Sequence, residues 1–207
     1  MAFSVEDAQA LSPAAVPTIA FRLRLDSGGA AIRSLQLDVQ VQIAARQRGY
    51  DAERQKGLWE LFGTPDRWAE TLRTLPWVRT TVVVPPFTGS TLVELPIVCT
   101  YDLEVSAARY FAALDDGVVP LELLFSGAVF YAGPDGRLQT VRIPWDSEAS
   151  YGLPVAVWRE AIDRHFPDSA WLRLRRQSFD RLQAYKARRA FATMEDAIES
   201  LLERGGD

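Results

Sequence analysis

Between residues 35 and 43 the apolar side chains Leu35, Leu37, Val39, Val41 and Ile43 alternate with Gln36, Asp38, Gln40 and Gln42. Successive side chains of a strand point to opposite faces, so a two-residue period predicts a strand with one dry and one wet face. Antiparallel sheets show that pattern, whereas parallel strands are buried on both sides. The same odd-numbered register recurs at Phe21, Leu23 and Leu25 around Arg22 and Arg24. It returns over Val93, Leu95, Ile97, Cys99, Tyr101, Leu103 and Val105, and again over Leu121, Leu123, Phe125, Val129 and Tyr131. Val141, Ile143 and Trp145 close the β region. The core is therefore expected on the odd face of an antiparallel sheet, sandwich-like or strongly curved.

Glycine, proline and short polar residues punctuate these runs. Ser27-Gly28-Gly29 separates two alternating stretches and predicts a hairpin. Thr88-Gly89-Ser90 and Gly133-Pro134-Asp135-Gly136 predict turns. Pro96 has no N–H for a ladder, which places its strand at an edge or a bulge. Residues 1–17 show no period and read as an arm. Over 51–62 the period becomes helical and stops at Gly63, after which Thr64 and Pro65 restart a helix. Trp59, Trp68 and Leu72 are expected to pack this insert onto the sheet. Residues 106–114 fit either helix or strand, and their alanines favour a helical turn before Asp115-Asp116-Gly117. From 153 onward the period is helical: one helix opens at Pro154 and ends near Phe166-Pro167. A second runs from a Ser169 cap to about Ala190, and a third follows a Thr193/Asp196 capping box. The expectation is α+β: an antiparallel β-sheet with a short helical insert and a three-helix C-terminal region. Its domains are an N-terminal arm (1–17) and one domain (18–207), β-rich over 18–146 and helical over 153–203. Strands that are not regularly interleaved with helices argue against a doubly wound parallel sheet.

The chemistry-bearing residues are few. The chain has one cysteine and one histidine. Cys99 falls on the apolar register, where a thiol behaves as a small hydrophobe. His165 ends an amphipathic helix, where an imidazole can cap free carbonyls. Asp115, Asp116 and Asp135 lie in glycine-containing turns, where aspartate bonds local backbone. No catalytic, cofactor-binding or metal-binding residue is assigned, and no phosphate-binding glycine loop is present. The segment Trp145–Gly152 joins sheet to helix and reads as irregular backbone. Its Trp145, Asp146 and Tyr151 form a candidate loop site, because binding residues concentrate on loops.

One charge anomaly stands out in a chain of net charge −4. Over Trp171–Arg189, the cations Arg173, Arg175, Arg176, Arg181, Lys186, Arg188 and Arg189 oppose only Asp180. Leu172, Leu174, Phe179, Leu182 and Tyr185 thread through them. The plain reading is a solvated basic face with stems lying over apolar surface. The functional reading is a docking face for an acidic protein partner. The acidic net charge and the lack of an RNA-binding motif argue against nucleic acid. The N-terminus lacks the basic and apolar regions of a secretory signal, no apolar run approaches a membrane span, and a lone thiol suits a reducing compartment. Cytoplasm is the expected location.

The stretches Leu61-Phe62-Gly63, Phe87-Thr88-Gly89-Ser90-Thr91, Leu95-Pro96-Ile97-Val98-Cys99-Thr100-Tyr101-Asp102, Leu124-Phe125-Ser126-Gly127 and Leu153-Pro154-Val155-Ala156-Val157-Trp158-Arg159-Glu160 together resemble one family. It is an actinobacterial-type family of unknown function encoded beside genes for high-affinity uptake NiFe hydrogenases. The resemblance implies, by context alone, an accessory role with a hydrogenase subunit or maturation factor as partner. It carries no catalytic residues. The expected function is a non-enzymatic chaperone, assembly factor or scaffold without a cofactor. Two alternatives stand beside it: a small-molecule-binding protein or enzyme with its site near Trp145–Tyr151, and a structural subunit of a larger assembly. Homo-oligomerisation is left open.

Overall fold

The structure, a computed structural model, describes residues 1–100, 102, 105–167, 169 and 173–205. Two compact units are recognised, Met1–Ala170 and Trp171–Asp207.

The first unit holds the strands β1 (Ala2–Ala10), β2 (Thr18–Ile43), β3 (Leu75–Val84), β4 (Phe87–Val98), β5 (Val118–Ala132), β6 (Leu138–Arg142) and β7 (Glu148–Pro154). They form one open antiparallel sheet organised by β2, which is 26 residues long. Along one side of β2 run β3, against Leu35–Ile43, and then β4, against Thr18–Asp26, Ala31 and Ile32. Along the other run β5 and β1. The outer edge of β5 is shared by β7, on Val118–Leu124, and β6, on Ala128–Ala132.

The hairpin expected at Ser27-Gly28-Gly29 is instead a corner inside one strand. Between the pairs Asp26–Ser90 and Ala31–Thr88, the residues Ser27–Ala30 stand opposite Gly89 alone. Gly28 and Gly29 take φ of 65° and 90°, which side chains other than glycine adopt at a cost. The Asp26 carboxylate accepts the Gly28 N–H at 2.7 Å, and the Ser27 hydroxyl donates to the Ala30 carbonyl at 2.6 Å. Each arm of β2 already has a strand on both sides, so the arms cannot pair with each other. The Thr88-Gly89-Ser90 turn is likewise a bend within β4, with Gly89 at φ 73°.

The corner folds the sheet onto itself. Phe3 of β1 stacks on Phe125 of β5 with ring centroids 4.3 Å apart, and Phe21 of β2 meets Tyr151 of β7 edge-on at 5.9 Å. The odd residues of β2 lie between: Ile19, Phe21, Leu23, Leu25, Leu35, Leu37, Val39, Val41 and Ile43 are each at most 1 % exposed. Burying each such side chain contributes about 1.5–3 kcal/mol. Leu95 and Ile97 of β4 and Leu121, Leu123 and Phe125 of β5 join them. Arg22, Arg24 and Gln36 face water, while Asp38, Gln40 and Gln42 are half-buried.

Several expectations are corrected. Residues 2–10 of the expected arm are strand β1. A bulge between Val5 and Asp7 moves the inward register from Phe3 and Val5 to Ala8 and Ala10, which erases any visible period. In β3 the inward residues include Val82 and Val84, so the odd rule does not reach that strand. The irregular backbone expected over Trp145–Gly152 ends at Ser147, since Glu148–Pro154 is β7, with Leu153 fully buried. Tyr101 and Leu103, expected to continue the β4 alternation, lie outside the described residues. Pro96 stands in β4, which among the described residues pairs only with β2, so the missing N–H falls in an edge strand.

The insert comprises α1 (Ala52–Gly57), α2 (Trp59–Phe62) and α3 (Trp68–Thr71). Asp51 caps α1 by accepting the Arg54 N–H at 2.9 Å. Gly63 ends α2 at φ 73°. Thr64 precedes Pro65 as expected but makes no side-chain cap bond. Trp68 anchors the segment by donating its indole N–H to the Gly63 carbonyl at 2.8 Å, whereas Trp59 is half exposed. Residues 106–112 form α4 (Ser106–Ala112), with Tyr110 and Phe111 fully buried, and α5 (Val155–Asp163) follows β7. Trp158 of α5 stacks on Phe111 at 5.2 Å.

The second unit is a helical pair, α6 (Arg176–Arg189) and α7 (Met194–Gly205). The helix expected from a Ser169 cap over Trp171–Arg189 begins only at Arg176. Trp171 and Leu172 lie outside the described residues, and Arg173, Leu174 and Arg175 precede the helix. Cations are favoured in the last turn of a helix and disfavoured in the first, where α6 nevertheless holds Arg176. The observed start leaves Arg173 and Arg175 ahead of the helix and puts Lys186, Arg188 and Arg189 in its last turn. The Thr193/Asp196 capping box forms as expected: Thr193 N–H donates to the Asp196 carboxylate at 2.9 Å, and Asp196 N–H to the Thr193 hydroxyl at 3.0 Å.

Candidate functional site

The one cysteine and the one histidine are both engaged by the scaffold. Cys99 is 3 % exposed at the end of β4, its Sγ lies 3.7 Å from the Ile97 carbonyl, and burial pushes its thiol up to about 12. A thiolate is the reactive form, so this environment suppresses attack. The His165 Nδ1 lies 3.0 Å from the Ala161 carbonyl at the end of α5, and Nε2 lies 3.0 Å from the Ala14 carbonyl. The ring thus ties the helix end to the segment between β1 and β2.

The acidic turns are similarly occupied. Asp115 pairs with Arg159 at 3.0 Å, Asp116 with Arg54, and the Asp135 carboxylate accepts the Arg137 N–H at 3.2 Å. Among the described residues no three His, Cys, Asp or Glu side chains group to hold a metal ion. Tyr50 and Tyr110 form a partly buried polar pair whose hydroxyls are 2.7 Å apart. Tyr50 donates to the Ala45 carbonyl at 2.7 Å, so its single proton is used and Tyr110 is the donor between them. Desolvation raises both phenols. The pair pins the α1 approach to α4 and exposes no reactive atom.

The loop candidates are not brought together. Trp145 is 94 % exposed and Asp146 is exposed on the same turn. Tyr151 sits on β7, half-buried against Phe21. Burial raises its phenol, Asp7 adds to that, and the Ala8 N–H opposes it. The groove beside Tyr151 is lined by Gln47, Arg48, Pro120 and Ser150, and neither Trp145 nor Asp146 reaches it.

The basic helix does form a concave surface. Within the second unit a groove of about 460 Å³ is lined by Ser178, Arg181, Leu182, Tyr185 and Arg188 of α6, with Leu201 of α7. The α6 positions follow helical i, i+3, i+4 spacing, so one face carries two guanidinium groups around an apolar floor. The Tyr185 hydroxyl is 3.0 Å from the Ser200 hydroxyl, which fixes the ring against α7. Arg176 pairs with Asp180 at 3.1 Å on the same helix, whereas Arg181 and Arg188 have no ion pair among the described residues. Phe179 is 42 % exposed, Leu201 44 % and Leu202 70 %. Arg173 and Arg175, outside the helix, are not part of this face. Ser178 and Leu201 complete the groove without having been singled out as partner-binding residues; the spacing from Ser178 to Arg181 and Tyr185 carried that signal.

Fold and surface define a mixed α+β protein: one open antiparallel sheet with C-terminal helices, and no described helix long and apolar enough to cross a membrane. The chain belongs to a family of unknown function, DUF6084, which matches residues 1–207. No curated protein matches it.

Proposed function

We propose that this protein is a non-enzymatic accessory factor that docks an acidic, partly apolar segment of a partner protein along α6 and α7. The observation that carries the reading is the groove in which Arg181 and Arg188 flank Leu182, Tyr185 and Leu201. Two guanidinium groups without protein carboxylates favour an acidic ligand, and the aromatic and aliphatic floor supplies the desolvated centre that binding energy needs. The confinement of Cys99 and the backbone contacts of His165 support a role by contact rather than by covalent chemistry. The resemblance of the sequence to a family encoded beside uptake hydrogenase genes selects the partner to try first, a hydrogenase subunit or maturation factor.

The test is capture of purified hydrogenase subunits and maturation factors by the full chain, compared with the double variant Arg181→Glu/Arg188→Glu. Both side chains are exposed, so the variant is expected to keep the fold. Reversing both charges should weaken capture at least about tenfold, and raising salt should do the same in the native chain. Equal capture by the variant sinks the docking face. Capture of none of these proteins sinks the hydrogenase assignment.

A further inference from the structure

Trp145 is the most exposed large apolar side chain among the described residues, at 94 %. Its backbone is nevertheless held. The Ile143 N–H donates to the Gly127 carbonyl at 3.1 Å, the Phe125 N–H to the Ser147 carbonyl at 2.9 Å, and the Ser147 N–H to the Pro144 carbonyl at 3.2 Å. Both ends of the turn are therefore fastened to β5, and buried Ile143 anchors its start. The indole is presented on fixed backbone, with little ordering left to pay for on contact. Tryptophans presented in this way dominate interface energetics.

A groove of about 520 Å³ opens beside the turn, at the corner of the folded sheet. Ala30, Ala31 and Ile32 of β2 and Val129 and Tyr131 of β5 line one side, and Val141, Ile143 and Pro144 line the side from which Trp145 projects. Its size is within the range of pockets that enclose whole ligands, so an indole fits. Knob and hole thus share one patch. Exposed Leu138 and Val141, at 67 % and 52 %, extend its apolar area.

Charge fixes what covers the patch. Arg142 lines the groove and Asp146 follows the knob; both are exposed, and neither side chain has an ion pair or hydrogen bond among the described residues. A surface carrying a projecting tryptophan next to an acid, and an apolar groove next to a base, is complementary to itself. We propose that Trp145 inserts into this groove on a second copy of the chain. The two copies then join about a two-fold axis with each Asp146 beside the partner's Arg142. In such a contact every interaction occurs twice.

Sedimentation of the full chain from about 1 to about 200 µM tests this, a range that brackets micromolar dissociation constants. The native chain should show a monomer–dimer equilibrium in that range. Trp145→Ala should weaken it at least about thirtyfold, as loss of a central aromatic anchor does. Its side chain touches no core, so folding is preserved. Arg142→Asp and Asp146→Arg should each weaken it about tenfold, and the double variant, which rebuilds both pairs with reversed sign, should return to within about threefold of native. A monomer throughout the range, a dimer as tight in Trp145→Ala as in the native chain, or a double variant weaker than either single one overturns the proposal.

Discussion

Gly127 offers the sharpest test of how the sheet is assembled. It sits in β5 at φ 133°, paired with Leu37 of β2. A Cβ added there would lie 2.0 Å from the Gln36 carbonyl oxygen and 3.4 Å from the Leu37 Cα. Nonbonded atoms at rest keep about 3.5 Å or slightly less, so β2 and β5 would have to part by more than about 1 Å. Three costs follow for Gly127→Ala. The backbone strain is about 1–3 kcal/mol. Two ladder bonds next to the contact weaken, at about 1 kcal/mol each. The buried Leu37 and Phe125 lose close packing on either side. The first two alone give about 3–5 kcal/mol, to which the lost packing adds, a large share of the 5–15 kcal/mol typical of a domain. Gly136→Ala is the control: its φ is 77°, but no atom lies within 4 Å of the added Cβ, so only backbone strain of about 1–2 kcal/mol applies. Urea unfolding gives both values from midpoint and slope. If Gly127→Ala costs no more than Gly136→Ala, Gly127 does not face Gln36 and the β2–β5 register is refuted.

Two further outcomes are expected. Burial pushes the Cys99 thiol up to about 12, so at pH 8 a disulfide reagent should label it only after urea is added, and prompt labelling of the folded protein would contradict its place in the core. The Thr193 amide, with its hydroxyl, holds the Asp196 carboxyl below the usual aspartate range. A lowered folded value stabilises the charged form, so this contribution is complete above the unfolded value of about 3.9 and fades as pH falls through the lower folded one. Helix content read by circular dichroism from pH 6 to pH 2.5 should show α7 fraying at the acid end. Asp196→Asn should lack that component of the transition, and an unchanged profile would count against the capping box.

The strands whose inward positions are consecutive odd numbers were legible because they carry no interruption. Leu35 to Ile43 and Val93 to Cys99 needed only the two-residue period, and their side chains are inside as expected. The misread strands share a cause. At β1 a bulge between Val5 and Asp7 breaks the period halfway through a nine-residue strand, so neither half is long enough to register alone. At the corner of β2, Gly28 and Gly29 carry the composition of a hairpin turn. Whether such a pair reverses the chain or only bends it depends on partners far away in sequence. Here β4 runs past the corner on one side, while β5 and β1 take the two arms on the other. That competition is tertiary, and no local window contains it. Over Glu148–Pro154 the cue was present in Ala149, Tyr151 and Leu153, but Ser150 and Gly152 between them resemble loop composition. Pairing with β5 decides the matter.

The same separation of local from tertiary information governs the surfaces proposed for contact. The cations of α6 were visible in the sequence because charge counting needs no fold. Their division was not: the helix starts at Arg176, so Arg181 and Arg188 share a groove while Arg173 and Arg175 fall outside it. Trp145 was visible as a loop tryptophan, but its partner groove joins residues 30–32, 129–131 and 141–144, which only the β2 corner and the β5–β6 pairing bring to one place. The two surfaces also differ in what they can contribute to binding. Exposed guanidinium groups chiefly speed and orient encounter and are weakened by salt, whereas a desolvated indole chiefly slows dissociation and is not. The salt dependence of each association should therefore follow the chemistry of its surface: steep for capture of an acidic partner on α6 and α7, and shallow for self-association through Trp145, where only the flanking Arg142 and Asp146 respond to ionic strength.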